Sequence, residues 1–159
     1  MKAKDIMTAS PCCCSPSDSL QEVARTMRDH DCGAVPIVDD GRVVGIVTDR
    51  DLAVRALASG MDPEAAIANI ITREPSCCDG DADLIEVERV MSDQQVRRVP
   101  IVDADRRVVG IVSQADLARA VSDGRHVSEH EVALVFERVS MPRHRPFDHG
   151  VDANLEQPF

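Results

Sequence analysis

Hydrophobic positions along this chain follow two spacings, one typical of amphipathic helices and one typical of buried strands. The helical spacing first appears in a set of four apolar residues: Leu20, Val23, Ala24 and Met27. These residues fall on one face of a helix. Ser19 precedes them and Glu22 follows Ser19 by three residues, which is the pattern of a capping box. The pattern predicts a helix that begins near Leu20.

Two apolar runs after this helix predict a β-hairpin followed by a second helix. "AVPIV" and "VVGIV" flank "DDGR", in which Asp40 and Gly41 suit a tight turn. The second run leads directly into "DRDLAVRALAS", a predicted helix that stops at Gly60. Asp62 and Pro63 then resemble the N-cap and first residue of a short linker helix.

The whole pattern occurs twice. A shift of 64 residues lays Ile6 on Ile70, and "VPIVD" recurs unchanged at 35–39 and 99–103. One extra residue near Arg107 changes the shift to 65, and "VVGIV" then matches "VVGIV". Such extended similarity indicates two copies of one supersecondary unit. Because strands this apolar need cover on both faces, we expect the copies to pack sheet against sheet about a pseudo-two-fold axis.

The segment after the second repeat predicts one more amphipathic helix. Ser128 and Glu131 resemble another capping box, and the apolar residues that follow share one face: Val132, Val135, Phe136 and Val139. We expect this helix to pack on the main domain, and a partner subunit is the alternative. The predicted division of the chain is a first repeat, a second repeat, a C-terminal helix and a mobile tail: 1–61, 62–124, 125–141 and 142–159.

Composition narrows the class of protein. The chain has 159 residues with 43% hydrophobic content, no Trp or Tyr and three Phe, so its core is aliphatic. The net charge of −10 argues against nonspecific nucleic-acid binding, although a local site could still hold a small anion. No apolar run approaches the ~20 residues of a membrane span, and the N-terminus lacks a signal-peptide core. We therefore expect a soluble cytoplasmic protein that does not bind membranes.

The two copies of helix, "VPIVD", turn and "GIV" followed by T/S-x-x-D resemble a tandem pair of cystathionine-β-synthase (CBS) domains, known as a Bateman module. The resemblance covers roughly residues 4–122, and its linker and tail are similar to the group that includes the mycobacterial hypoxic response protein. It implies an α+β fold of two β-α-β-β-α repeats, often paired again as a homodimer. It also implies an adenosine ligand, AMP, ADP, ATP or S-adenosylmethionine, in clefts between the repeats.

Each repeat carries the same three candidate binding residues after its second strand: Gly45, Thr48 and Asp51 in the first, and Gly110, Ser113 and Asp116 in the second. The hydroxyl residue opens a helix, whose free N–H groups suit phosphate. The resemblance assigns that hydroxyl to phosphate and the aspartate to the ribose hydroxyls. The same spacing is also a capping box, which stabilises a helix by ~1 kcal/mol without any ligand.

Residues that flank the motifs differ between the repeats. Arg97 and Arg98 stand where the first repeat has Gly33 and Ala34. The resemblance implies a phosphate contact for Arg98, while surface ion pairing is the alternative for both arginines. The segment that forms the adenine wall in the family holds four residues that could equally be core: Ile6, Met7, Ile70 and Ile71. We expect the two clefts to differ in affinity, with the one lined by Arg98 favoured.

The cysteines form two clusters at matching places, Cys12–Cys14 and Cys77–Cys78, in the loops before the first helix of each repeat. Adjacent cysteines chelate metals poorly because neighbouring side chains point apart. His30, His126 and His130 show no ligand spacing with them. We predict free thiols and no metal site, with a redox switch or a metal site as alternatives.

The sequence predicts a binding protein and not an enzyme. It contains no nucleophile and base in a recognisable arrangement, no catalytic residue is assigned, and no cofactor is required. The favoured interpretation is a regulatory module that binds an adenosine compound and signals to a separate, unknown partner protein. The alternatives are a ligand-free stress or scaffold protein, and a thiol or metal sensor that uses the cysteine clusters.

Overall fold

The computed structural model describes residues 1–124 and 127–142, which form two α+β repeats and a C-terminal helix. The strands are β1 (Thr8–Ala9), β2 (Ala34–Asp39), β3 (Arg42–Thr48), β4 (Thr72–Arg73), β5 (Cys78–Asp79), β6 (Arg98–Val102) and β7 (Val108–Ser113). The helices are α1 (Leu20–Asp29), α2 (Asp49–Asp51), α3 (Leu84–Gln94), α4 (Gln114–Ser122) and α5 (Glu129–Ser140). Ser19 caps α1 in the predicted capping box with Glu22.

Each repeat contributes its first strand to the sheet of the other repeat. The three-stranded sheet has the order β2-β3-β4, and β4 of the second repeat lies antiparallel to β3 with Thr72 opposite Ile46. The four-stranded sheet has the order β1-β7-β6-β5, and β1 of the first repeat lies antiparallel to β7 with Thr8 opposite Ile111. The repeats are therefore joined by reciprocal exchange of a strand.

The two sheets match in detail, as the internal repeat predicts. Cys78 in β5 pairs in parallel with Ile101 of β6. Cys14 forms the equivalent parallel bridge to Ile37, in which the Cys14 N–H donates to the Pro36 carbonyl at 3.1 Å. These matching pairs are consistent with the expected pseudo-two-fold relation between the repeats.

The hydrophobic core consists of two clusters, one for each sheet and its helices. The first contains buried residues of α1, β2 and β3 together with Ile67, Ile70 and Ile71 from the second repeat. The second contains buried residues of α3, β6, β7 and α4 together with Ala3 from the N-terminus. The exchanged segments thus supply part of the cover that each sheet requires.

The linker between the repeats differs from its predicted helix. The Asp62 carboxylate accepts a hydrogen bond from the Glu64 N–H at 2.9 Å within a turn, and helical residues appear only as a 3-10 turn at Ile67–Asn69. The carbonyls of Pro63 and Ala65 accept hydrogen bonds from the first N–H groups of α1, each at 3.0 Å. Because these carbonyls complete the start of α1, the linker does not form a helix of its own.

The helical segment after β3 is also less regular than its sequence predicts. The α2 helix has three residues and continues through a π-helical turn at Leu52–Ala56 and a 3-10 turn at Leu57–Ser59. The segment ends at Gly60, where φ is 64°. The equivalent α4 helix of the second repeat is a regular nine-residue helix.

The C-terminal helix α5 packs on α3 and α4, as predicted. Val132, Val135 and Val139 are buried in the second cluster, whereas Phe136 is 36% exposed. From residue 143 onwards the predicted tail lies outside the described residues. Among the helices that the structure does describe, none is long and apolar enough to cross a membrane.

The packing of α5 predicts a contrast between two neighbouring positions. Val135 is 4% exposed and Leu134 is 43% exposed. We expect Val135→Ala to lower the free energy of unfolding by about 1–3 kcal/mol, while Leu134→Ala changes it by less than about 1 kcal/mol. Urea unfolding of both variants measures this. Equal losses at the two positions would contradict the packing of α5 on the second cluster.

Candidate ligand-binding clefts

The first candidate motif forms a complete capping box at the start of α2. Thr48 ends β3, and its hydroxyl donates to Asp51 Oδ2 at 2.8 Å. The Thr48 N–H donates to the same oxygen at 2.9 Å, and the Asp51 N–H donates to Thr48 Oγ1 at 3.2 Å. The capping box that the sequence predicts is therefore present at Thr48 and Asp51.

The second motif repeats the arrangement at the start of α4. Asp116 Oδ2 accepts from the Ser113 hydroxyl at 2.6 Å and from the Ser113 N–H at 2.7 Å, and the Asp116 N–H donates to Ser113 Oγ at 3.3 Å. Asp116 is 6% exposed. In both motifs the cap uses only Oδ2, so a capping role leaves the other carboxylate oxygen for a further partner.

In each repeat an arginine contacts the other oxygen of the motif aspartate, but the two arginines differ in their further contacts. Arg55 Nε lies 3.2 Å from Asp51 Oδ1, and Arg55 Nη1 donates to the carbonyl of Ile70 at 2.8 Å. Arg119 donates to Asp116 Oδ1, and 66% of its side chain is exposed. Arg55 thus ties the aspartate of the first motif to its wall segment. It was missed from the sequence, although its position four residues after Asp51 is a signal of a helical ion pair.

The two motif glycines lie against residues that the other repeat supplies. A Cβ on Gly45 would lie 2.7 Å from Ile71 Cδ1 and 3.2 Å from the Thr72 carbonyl oxygen. A Cβ on Gly110 would lie 2.8 Å from Met7 Cγ and would also collide with the Met7 sulfur. The absence of a Cβ at both positions therefore permits the close approach of the exchanged segment.

Because of the strand exchange, the wall segment of each repeat lies against the motif of the other repeat. Ile70 and Ile71 belong with the first motif, and both are buried. Ile6 belongs with the second, where it lines a shallow depression of about 100 Å³ together with Asp116, Arg119, Ala120 and Asp123. Ile6 and Met7 are only partly buried. The second cleft is thus the less tightly closed of the two.

A larger cavity lies away from both motifs. It measures about 220 Å³ and lies between α3 and α5, where Ile85, Glu88 and Arg138 contribute to its lining. It contains none of the residues predicted to bind a ligand.

Arg98 lies between the two repeats. Its backbone is opposite Ser113 in the pairing of β6 with β7. Its guanidinium reaches the first repeat, because a Cβ on Gly33 would lie 2.9 Å from Arg98 Nη2 and 2.9 Å from Asp49 Oδ2. Arg98 is therefore positioned between the second motif and the start of α2.

Arg97 and Gln114 are the sequence neighbours of Arg98 and Ser113. Arg97 is exposed, whereas the side-chain nitrogen of Gln114 is buried. The Arg97 carbonyl accepts a hydrogen bond from the Gln114 N–H at 3.1 Å. Gln114 Nε2 is the one buried side-chain polar atom without a hydrogen-bond partner in the described residues. Gln114 follows Ser113 at the start of α4, so an unused donor lies in the helix turn predicted to meet phosphate.

The cysteines within each cluster have different surroundings. Cys14 and Cys78 are buried in separate core clusters, and burial raises the pKa of both thiols, that of Cys78 to about 11. Cys13 is exposed and Cys77 is half-buried. Within residues 1–124 and 127–142, no three or more His, Cys, Asp or Glu side chains lie where they could hold a metal ion. His126 lies outside these residues.

Comparison with known sequences finds relatives that span both repeats. The sequence profile of the CBS domain matches residues 3–57 and 67–123. Hypoxic response protein 1 of Mycobacterium tuberculosis is 39% identical over 142 residues, which cover 88% of this chain and 94% of that protein. The CBS domain-containing protein YhcV of Bacillus subtilis is 37% identical over 115 residues, which cover 72% of this chain and 81% of that protein.

Solved structures show the same architecture. The crystal structure of Hypoxic Response Protein I with two coordinated zinc ions matches with a TM-score of 0.69 at 41% identity and covers 75% of this chain and 98% of that chain. The CBS domain pair of protein MJ0100, in complex with 5′-methylthioadenosine and S-adenosyl-L-methionine, matches with a TM-score of 0.72 at 34% identity. It covers 78% of this chain and 98% of that chain.

Because Ile71 is stiffer than Met7, alanine should destabilise the protein to different extents at Gly45 and Gly110. Gly45→Ala collides with a buried isoleucine and approaches a backbone carbonyl, so we expect it to lower the free energy of unfolding by about 1–3 kcal/mol. Gly110→Ala meets only the Met7 side chain, whose Cβ lies 3.2 Å away and whose Cγ and sulfur collide with the new methyl group; because methionine can change rotamer, we expect a smaller loss. Urea unfolding of both variants measures the difference. A larger loss for Gly110→Ala would contradict this account of the walls.

Proposed function

The chain belongs to the CBS domain family, and we propose that it is a regulatory module that binds an adenosine compound in a cleft between its repeats. The observation that carries the proposal is the arrangement of the motifs: each keeps its glycine, hydroxyl and aspartate, and each meets a wall segment from the other repeat. A CBS pair that is 34% identical was solved with two adenosine compounds.

We assign the principal site to the second cleft. A depression beside Asp116 and Ile6 is already open to part of a ligand. Met7 over Gly110 is unbranched and can change rotamer, whereas Ile71 over Gly45 is β-branched and stiff. In the first cleft Arg55 also holds Asp51 to Ile70. Binding at the second cleft therefore requires less rearrangement.

Each residue of the second cleft has a separate role in this proposal. Asp116 accepts hydrogen bonds from the ribose hydroxyls, for which an acceptor-only carboxylate is suited. Ser113 and the N–H groups at the start of α4 hold a phosphate or another polar group of the ligand, with Gln114 Nε2 as an additional donor. Ile6 and Met7 contact adenine.

The arginines and the first motif complete the assignment. The Arg98 guanidinium supplies positive charge beside Gly33 and Asp49 at the start of α2, and the exposed Arg97 adds charge at the rim. The first motif and its wall form a second, weaker cleft for the same class of ligand: Gly45, Thr48, Asp51, Ile70 and Ile71. The ligand class is AMP, ADP, ATP or S-adenosylmethionine, since all contain the adenosine that these roles recognise.

The strand exchange offers a route from ligand binding to regulation. Met7 precedes β1, which pairs with β7 across the repeat boundary. A ligand that displaces Met7 therefore acts on the segment that joins the first repeat to the second sheet. We propose that this change is read by a separate partner protein, that the chain acts as a homodimer, and that it does not act as an enzyme.

The competing function is a scaffold that binds no ligand, and the capping boxes at both motifs support it. Both aspartates have complete caps and arginine partners within the protein. In that case the motifs serve only to stabilise the starts of α2 and α4.

Ligand binding is tested by thermal unfolding with AMP, ADP, ATP and S-adenosylmethionine. A ligand at 100 times its Kd adds about 2.7 kcal/mol of stability, which raises the Tm by about 5–10 °C for a chain of this size. We expect at least one ligand to do so. No rise in Tm with any of the four would contradict the proposal and favour the scaffold.

The choice of cleft is tested by Asp116→Asn and the matched variant Asp51→Asn. The amide keeps one oxygen to accept the capping hydrogen bonds but loses the charge that favours the ribose hydroxyls. We expect Asp116→Asn to lower affinity at least about tenfold, a loss of about 1.4 kcal/mol, and Asp51→Asn to leave it nearly unchanged. Isothermal titration calorimetry measures this, and the Tm without ligand controls for folding. The reverse order would assign binding to the first cleft.

The wall of the second cleft is tested by Met7→Ile, which gives it the branched residue type of the first cleft. Because isoleucine cannot move away from Gly110 as methionine can, we expect about a tenfold loss of affinity. Ile71→Val, at the matching position in the first cleft, is the control and should preserve affinity. Titration calorimetry with the ligand found above provides the measurement. Unchanged affinity in Met7→Ile would show that Met7 does not move for the ligand.

A further inference from the structure

Two cysteines from different segments meet beyond the C-terminal end of α1. Cys12 Sγ lies 3.4 Å from Cys32 Sγ. Cys12 belongs to the segment that follows β1, and Cys32 belongs to the turn that follows α1. Both side chains are half-buried and pack against the first core cluster. This pair joins a member of one predicted cysteine cluster to the separate Cys32, which the clusters in the sequence do not suggest.

The remaining thiols have other surroundings. The Cys13 and Cys77 thiols donate to the carbonyls of Pro11 and Pro75 at 3.4 and 3.2 Å. Cys78 is buried in the second core cluster. Cys14 is 6% exposed, and its thiol contacts Thr26 and Asp18.

We propose that Cys12 and Cys32 form a reversible intramolecular disulfide when the protein meets a hydroperoxide such as hydrogen peroxide. A disulfide requires the sulfurs to move from 3.4 Å to about 2.05 Å. A closure of this size is within reach of side-chain rotation and a small shift of the Cys12 segment. Cys32 is the more fixed partner, because its N–H donates to the Met27 carbonyl at 3.0 Å.

The oxidation balances in two steps. The thiolate sulfur of Cys12 attacks one peroxide oxygen, the O–O bond breaks, and a sulfenic acid forms while the other oxygen leaves as water after protonation. The Cys32 sulfur then attacks the Cys12 sulfur, the S–O bond breaks, and a second water leaves as the S–S bond forms. The two sulfurs lose two electrons, which reduce the peroxide. A dithiol reductant returns both thiols by exchange.

The environment of Cys32 assigns the order of these steps. Burial and the adjacent Cys12 thiol raise the pKa of Cys32 to about 11, so Cys32 remains protonated at neutral pH. Because a thiolate attacks the peroxide, Cys32 is disfavoured as the first nucleophile and Cys12 takes that role. When Cys32 then attacks the Cys12 sulfenic acid, its proton leaves with the hydroxyl group as water. Condensation within the protein then requires no second copy of the chain.

The disulfide would connect two parts of the molecule that carry the candidate clefts. Cys12 follows Met7 and β1, which lie on the second sheet. Cys32 precedes Gly33, whose carbonyl accepts from the Asp49 N–H at 3.2 Å and which faces the Arg98 guanidinium. Oxidation would thus tie the exchanged N-terminal segment to the turn beside Arg98. The proposal depends on the thiols alone, so its failure would leave the proposed ligand binding unaffected.

Peptide mapping of the full-length protein tests the bond. The reduced protein is treated with hydrogen peroxide in the presence of a metal chelator, blocked with N-ethylmaleimide and digested with trypsin. Cleavage after Lys4, Arg25, Arg28 and Arg42 separates Cys12 from Cys32. We expect peptides 5–25 and 29–42 to be joined, with two of the six cysteines protected from alkylation. Dithiothreitol should release both peptides.

Three variants identify the bonded sulfurs. Cys12→Ser and Cys32→Ser should each abolish the joined peptide, and Cys13→Ser, at the exposed neighbouring position, should retain it. Absence of the joined peptide in the unmodified sequence, or its persistence in Cys12→Ser through Cys13 or Cys14, would overturn the proposal.

Thermal unfolding provides a second readout. The bond would close a loop around α1, so the oxidised protein should unfold about 5 °C higher than the reduced protein. The increase should disappear in Cys32→Ser. An unchanged or lower Tm on oxidation would show that the native geometry does not accommodate the bond, and would also overturn the proposal.

Discussion

The exchange of the first strands is the constraint on which the rest of this structure depends. β1 completes the sheet of the second repeat and β4 completes the sheet of the first. Without the partner strand, β3 and β7 would expose unpaired edge groups, which is a known hazard for sheets. The same exchange carries Met7 and Ile71 over the glycines of the opposite motifs. Fold and candidate clefts therefore arise from one arrangement.

The asymmetry of the clefts arises from small differences between equivalent positions. One repeat places a stiff, buried isoleucine over its glycine, and the other places a flexible, half-buried methionine. Arg55 connects its aspartate to the wall, whereas Arg119 holds Asp116 with most of its side chain in solvent. The duplication gives two equivalent clefts, and these side chains determine which cleft is more accessible to a ligand.

Local patterns predicted the local structure well. The capping boxes at Ser19, Thr48 and Ser113 are present, because each depends only on residues within one helical turn. The linker helix was wrong because the carbonyls of Pro63 and Ala65 bond to α1, a contact between segments distant in sequence. The Cys12–Cys32 pair was not predicted for the same reason, since α1 separates the two residues in the sequence.

The sequence by itself determined the repeat, its hairpins, the starts of its capped helices, the family and the residue types of both motifs, since these follow from periodicity, spacing and direct similarity. Only the tertiary structure decided which wall faces which motif, that Arg98 reaches across to Gly33, and that Met7 rather than a stiff residue lies over Gly110. The physical reason is the strand exchange: hydrogen bonds between strands far apart in the chain leave no local signal in the order of residues.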